Sequence, residues 1–150
     1  MSDASPAPLH VFRFHISIKR DGTGEVCGGA FAECTGLEAT MEPKVIKSGG
    51  ANYGATQRPG QVTFATVVLK RGISQSHDLF DWFQKVAGGG YAYRRSAQIA
   101  VQNAAGETVI TWELARCMPV KFKAADLNAK GTEIGIEELH LAHEGLFLAN

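Results

Sequence analysis

The sequence predicts a mainly β domain of short antiparallel strands with one flanking α-helix. Three observations carry that expectation. Seventeen glycines and five prolines in 150 residues punctuate the chain with turns. Several segments alternate apolar and polar side chains with a period of two, the signature of strands with one wet face. Only one segment shifts to the helical period.

Taken in order, Met1 to His10 is a Pro/Ala/Ser-containing arm without periodicity, expected to be a flexible terminus. Residues 11–150 are expected to form one domain, a size at which a single core is usual. From Val11 to Arg20, Phe12, Phe14, Ile16 and Ile18 share one face and Arg13, His15, Ser17 and Lys19 the other, and Asp21-Gly22-Thr23-Gly24 reads as a turn. A second strand is expected over Val26–Thr35, flexed at Gly28-Gly29. Residues 37–60 combine Pro43, Gly49-Gly50, Asn52, Gly54 and Pro59-Gly60 with few large apolar groups, which predicts a long loop unable to bury much on its own subunit. Gln61–Lys70 reads as a strand buried on both faces and closed by Arg71-Gly72.

Leu79, Trp82, Phe83 and Val86 fall at i, i+3, i+4 and i+7 and predict the helix, over about Ser76–Ala87. Ser74 or Ser76 is the expected N-cap, Asp78 and Asp81 suit the first turn, Lys85 the last, and Gly88-Gly89-Gly90 the stop. Arg94–Gln102 and Glu107–Ala115 then read as a hairpin about Asn103–Gly106. Met118–Lys123 extends it past Pro119, a residue suited to an edge or a bulge. A last strand is expected over Glu133–Phe147. There Ile134 and Ile136 keep one parity and Leu139 and Leu141 the other, which implies a β-bulge at Glu137-Glu138.

Fifteen basic residues balance fifteen acidic ones and the sequence pI is about 7.0, so no global field recruits nucleic acid or an anionic membrane. No apolar run approaches the ~20 residues of a spanning helix and the N-terminus carries no secretory pattern, so the chain is expected to be made in the cytosol and not to insert stably in a membrane. Cys27, Cys34 and Cys117 lack CxxC spacing, which favours reduced thiols over a disulfide framework or zinc site.

Site chemistry is sparse. Gly49–Thr56 has the glycine and threonine spacing of a P-loop, but Ala55 stands where the phosphate-binding lysine must be, and Pro59-Gly60 precludes the following helix. His140 and His143 lie three apart and so point to opposite faces of a strand, which argues against shared metal ligation. Glu137-Glu138 could be paired carboxylates, although adjacent strand residues face apart and a solvated edge or bulge is the simpler reading. Lys70-Arg71, without interleaved aromatics, reads as a solvated basic pair. The expectation is a protein with no catalytic residues, no metal and no cofactor.

In order along the chain, Phe12-x-Phe14-x-Ile16, Phe31-Ala-Glu-Cys-Thr-Gly36-Leu37, Ser48-Gly-Gly-Ala-Asn52, Pro59-Gly60, Leu69-Lys-Arg-Gly72, Trp82, Trp112, Asp126-Leu-Asn-Ala-Lys-Gly131, Ile136-Glu-Glu-Leu139 and Ala142-His-Glu-Gly-Leu146 resemble the tail-tube (inner-tube) proteins of contractile phage tails and extracellular contractile injection systems. The resemblance covers about Phe12 to Leu146. Lys47-Ser48 departs from the acidic residue that the family often has before the two glycines, and Arg116-Cys117 from a common Asn-Ala pair. The resemblance implies an antiparallel β-sandwich or barrel-like fold with a long inter-subunit loop. It also implies homohexameric rings stacked into a hollow tube, with sheath, baseplate, spike and terminator proteins as partners and a luminal protein or DNA as cargo. The localisation it implies is assembly in the bacterial cytoplasm, then residence in a virion or a released or membrane-docked particle. Subunit-interface candidates are Lys47, Ser48, Gly49, Gly50, Asn52, Pro59, Lys70, Arg71 and Asn128. The ring-forming tube protein of type VI secretion is a second reading of the same class. A small β-barrel enzyme or ligand-binding module is the alternative from a different class, distinguished by a monomer holding a metal, flavin or lipid.

Overall fold

The computed structural model describes residues 13–19, 25–46, 54, 56–73, 76–89, 95–131 and 134–149, with backbone alone for 25–28. The expected turn at 21–24 and the N-terminal arm lie outside them. The described strands are β1 (Arg13–Lys19), β2 (Glu25–Ala30), β3 (Glu33–Thr35), β4 (Ala39–Met41), β5 (Lys44–Ile46), β6 (Thr56–Arg58), β7 (Val62–Phe64) and β8 (Val67–Gly72). The helix α1 (Asp78–Ala87) follows, then β9 (Arg95–Gln102), β10 (Thr108–Lys123), β11 (Ile136–Ala142) and β12 (Gly145–Leu148). An eight-stranded antiparallel sheet runs β2-β1-β9-β10-β11-β8-β3, with β12 also on β10.

The architecture turns on β10, which belongs to both halves of this sheet. Its first part pairs with β9 and β12, and its second part, Met118–Lys123, pairs with β11. The change comes where the β9 register shifts between Leu114 and Cys117, and Arg116 takes a positive φ of 51° there. Beside it the β11–β12 corner is tied on by the Glu144 N–H donating to the Ala115 carbonyl at 2.9 Å and by the Arg116–Glu144 ion pair.

Inward side chains of the two halves meet in one core: Ile16 and Ile18, Ala97 and Ile99, Leu114 and Cys117 from one, Val67, Leu69, Leu139 and Leu141 from the other. Helix α1 packs against β10 and β2 and adds Leu79 and Trp82. This is the expected antiparallel sandwich-like fold with a flanking helix.

Several expected boundaries are corrected. The strand foreseen over 26–35 is two, because buried Phe31 turns the chain between β2 on β1 and β3 on β8. The strand foreseen over 61–70 breaks at Ala65-Thr66, and β8 continues through Arg71 to Gly72. The helix cap is His77, without a side-chain cap bond, rather than a serine; Asp78 Oδ1 instead accepts the Leu79 N–H at 2.9 Å. The final strand divides at His143-Glu144.

Nor is there a bulge at Glu137-Glu138. The register of β11 on β8 is unbroken from Ile136↔Gly72 to Leu141↔Val67. Glu137, Leu139 and Leu141 share the inward parity, so a carboxylate points in and Ile136 points out. The irregularity lies opposite, between Pro119 and Lys121 of β10, in keeping with the bulge expected of that proline.

Candidate assembly surfaces

The segment expected to be a long loop is, in its described residues, part of a two-part β ribbon. β4 pairs with β7 and β5 with β6, joined by the Glu42 N–H donating to the Gln61 carbonyl at 3.1 Å. Its sequence supports pairing through Thr, Val and Ile at the strand positions, while its lack of an apolar face keeps it off the core. Every residue of β4, β5 and β6 is exposed, including Met41, Val45 and Ile46.

Two glycines fix this arm where the backbone is crowded. At Gly36, with φ +90°, a Cβ would overlap the Thr66 carbonyl oxygen, and at Gly60 it would overlap that of Glu42. At the base, the Phe64 ring lies 5.1 Å from His143, whose Nδ1 is 3.0 Å from the Gly145 carbonyl oxygen. Burial holds the His143 pKa below the ordinary imidazole value, against the pull of nearby carbonyls.

The expected interface residues fall in different places. Lys47, Ser48, Gly49, Gly50 and Asn52 lie between β5 and β6, outside the described residues. Pro59 is exposed on the arm beside Gly60. Lys70 and Asn128 come together in a polar groove of 780 Å³ that Glu33, Lys123, Asp126 and Glu138 also line. There Lys70 Nζ lies 3.3 Å from Glu138 and 3.6 Å from Glu33; the Glu138 bond leads in raising its pKa. Asn128 Oδ1 accepts the Lys130 N–H at 3.0 Å, closing an Asx-type turn.

Arg71, expected on a solvated face, is 7% exposed. Its Nε donates to Glu137 Oε1 at 2.7 Å, its terminal nitrogens engage Asp78, and its guanidinium lies 5.5 Å from the Phe31 ring centroid. Burial opposes its charge, but the bonds to Asp78 and Glu137 outweigh that and raise its pKa. Glu137 and Glu138 are thus neither a catalytic pair nor a solvated edge: one closes a buried ion network and the other faces Lys70 on the opposite side of the sheet. Sequence reasoning missed this network. Its one signal is the Lys-Arg pair of β8 opposite the Glu-Glu pair of β11, visible only once those strands are known to be partners.

Among the described residues no cluster of His, Cys, Asp and Glu suits a metal ion. The polar groove has mixed charge and no enclosed nucleophile. The sequence matches the family described as T4-like virus tail tube protein gp19 over residues 10–147. The chain belongs to this family.

Solved structures with the same fold extend the comparison. A chain of the sheath–tube complex of the PVC extracellular contractile injection system in its extended state is 22% identical, with a TM-score of 0.79 over 96% of the tail-tube protein and 93% of that chain. A chain of the anti-feeding prophage tube-terminating cap is 19% identical, with a TM-score of 0.80 over 99% and 95%. Hcp1 from Flavobacterium johnsoniae is more distant, 11% identical with a TM-score of 0.55 over 92% and 95%. No curated protein matches the sequence.

Two of the tail-tube protein's thiols lie inside the fold. Burial pushes Cys34 up to about 11 and Cys117 to about 12, and Cys117 Sγ donates to the Leu114 carbonyl at 3.5 Å. Both folded-state values exceed the 9.0 of a free thiol, so these thiols stay protonated at pH 8, and the stability they lend is lost as pH rises from about 9 through those values. The expected result is that Cys117 resists alkylation at pH 8 until denaturant is added. Mass spectrometry showing rapid labelling in the folded protein would contradict its place in the core.

Proposed function

We propose that residues 11–150 act as one structural domain, the repeating subunit of the inner tube of a contractile particle. It assembles with itself into homohexameric rings that stack into a hollow conduit. The conduit starts on a baseplate and spike, is surrounded by a sheath and closed by a terminator, and is expelled when the sheath contracts. The chain catalyses nothing and holds no cofactor. Assembly takes place in the bacterial cytoplasm, and the protein reaches a target envelope only as part of a virion or injection particle.

The observation that carries this reading, beside family membership, is the ribbon of β4 to β7: paired strands whose described residues between 38 and 64 add almost nothing to the core. Such a segment is stabilised by what it touches in a neighbour. Lys47, Ser48, Gly49, Gly50, Asn52 and Pro59 then contact a second subunit in the same or the next ring, while Lys70 and Asn128 serve from the groove.

Negative-stain microscopy of the purified chain tests the tube: rings and tubes with six-fold symmetry are expected, and a monomer would refute it. Gly60→Val tests the arm, because its side chain collides with the Glu42 backbone at the middle of the ribbon. The expected variant melts within about 1 kcal/mol of the parent, as for a change away from the core, yet forms short or no tubes. Normal sheathed tubes would remove the arm from the interface, and an unfolded subunit would place it in the core.

A further inference from the structure

Outward side chains of the β3-β8-β11-β10 half of the sheet form a row of alternating charge. Register sets Glu33 of β3 opposite Lys70 of β8, Lys70 opposite Glu138 of β11, and Glu138 opposite Lys123 of β10. Neighbours in the row interact. Lys70 Nζ reaches both Glu33 and Glu138. Burial works against the Glu138 charge, but the Lys70 bond and the charges of Lys70 and Lys123 outweigh it and hold that carboxyl below its ordinary value.

The row is satisfied in its middle and open at both ends. Lys70 and Glu138 each have an opposite charge on either side, whereas exposed Glu33 and Lys123 each have one on a single side. Both ends lie on strands with a free side. Among the described strands β3 pairs only with β8, and beyond Cys117 β10 pairs only with β11. Such edges are templates for another chain. Because the two ends differ in sign, the row complements itself head to tail. A two-fold contact between like edges would instead set Glu33 against Glu33 or Lys123 against Lys123, which like-charge repulsion opposes. A head-to-tail contact is heterologous, the kind that closes into a ring when its rotation allows.

Resting on the tube reading above, we propose that a second copy of this chain completes the row, its Lys123 meeting Glu33 at the contact between neighbours in one ring. The alternation then runs unbroken from subunit to subunit. Sedimentation of the purified chain over a range of concentrations tests this, with microscopy to identify rings and tubes. Glu33→Gln and Lys123→Gln each remove one end and are expected to raise the half-assembly concentration about threefold, the scale of one exposed ion pair. Combining them should do no further harm, because both delete the same contact. The difference from the parent should vanish at about 0.5 M salt, where such pairs are screened. Lys123→Arg, which keeps the charge, should assemble like the parent.

Single glutamine variants that assemble like the parent at low salt, or a double variant weakened by the product of the two single effects, would overturn the proposal. So would variants whose rings are normal but whose tubes no longer hold a sheath, since the row would then face a different protein. In each of these cases tubes still form and the tube reading stands. A parent chain that forms neither ring nor tube overturns both. If a glutamine variant fails to fold, salt titration of the parent decides: a half-assembly concentration that does not rise with salt removes the pairing.

Discussion

Trp82→Ala is expected to lower the stability of the subunit by ~3–5 kcal/mol, the usual range for truncating a large buried aromatic. Trp82 is 1% exposed, and with Leu79 it makes up the fully buried part of α1, so its loss opens a cavity just where the helix meets the sheet. Phe80 supplies the control. It is 44% exposed and touches the fold through Phe122, with ring centroids 5.3 Å apart, so Phe80→Ala should cost only about 1 kcal/mol. Urea denaturation of both variants measures the contrast. Equal, small losses would mean that the helix is not held by its core face.

That helix was legible because its signal is local: a 3.6 period, acidic residues at the start and glycines at the end. The hairpin of β9 and β10 was legible for the same reason. Turn residues 103–106 sit between two clean alternations, and Asn103 Oδ1 accepts the Ala105 and Glu107 N–H groups at 3.0 and 3.1 Å. Where the reading failed, a long-range partner decides the local structure. Nothing near Phe31 says that β2 and β3 belong to opposite ends of the sheet. Arg116 has no intrinsic preference for positive φ, and its conformation follows from the corner at which β10 changes partners.

The arm shows the same limit from the other side. Its low apolar content marks residues 37–60 as unable to build a core, and every described residue from 38 to 59 is exposed, while Leu37 at the start packs against the core. Composition alone could not distinguish a loop from a ribbon whose strands pair with each other and with nothing else. Of the expected contact residues, Lys70 and Asn128 do converge on one groove although 58 positions separate them. Arg71, adjacent to Lys70 in sequence, points into the protein because successive strand residues face opposite ways.

Arg71→Leu is expected to be as damaging as any core truncation, for an electrostatic reason. The guanidinium is enclosed between β8, β11 and the start of α1, and it supplies the positive charge that both Glu137 and Asp78 engage. Removing the cation of a buried ion network leaves the Glu137 carboxylate desolvated and without its counter-charge, a loss of about 3–5 kcal/mol, far above that of an exposed pair. Leucine fills much of the volume, so the loss reports charge rather than a cavity. Arg71→Lys keeps the charge but not the fork that reaches two carboxylates at once, and should fall between parent and leucine variant. The double variant Arg71→Leu with Glu137→Leu gives the sharper test: it deletes the more buried carboxylate together with its partner, so it should be more stable than Arg71→Leu alone, a non-additivity that a double-mutant cycle reads directly. If the two changes instead add, or if Arg71→Leu unfolds within 1 kcal/mol of the parent by about the same urea midpoint, the network does not hold the helix start to the sheet, and Trp82 and Leu79 alone fix α1 in place.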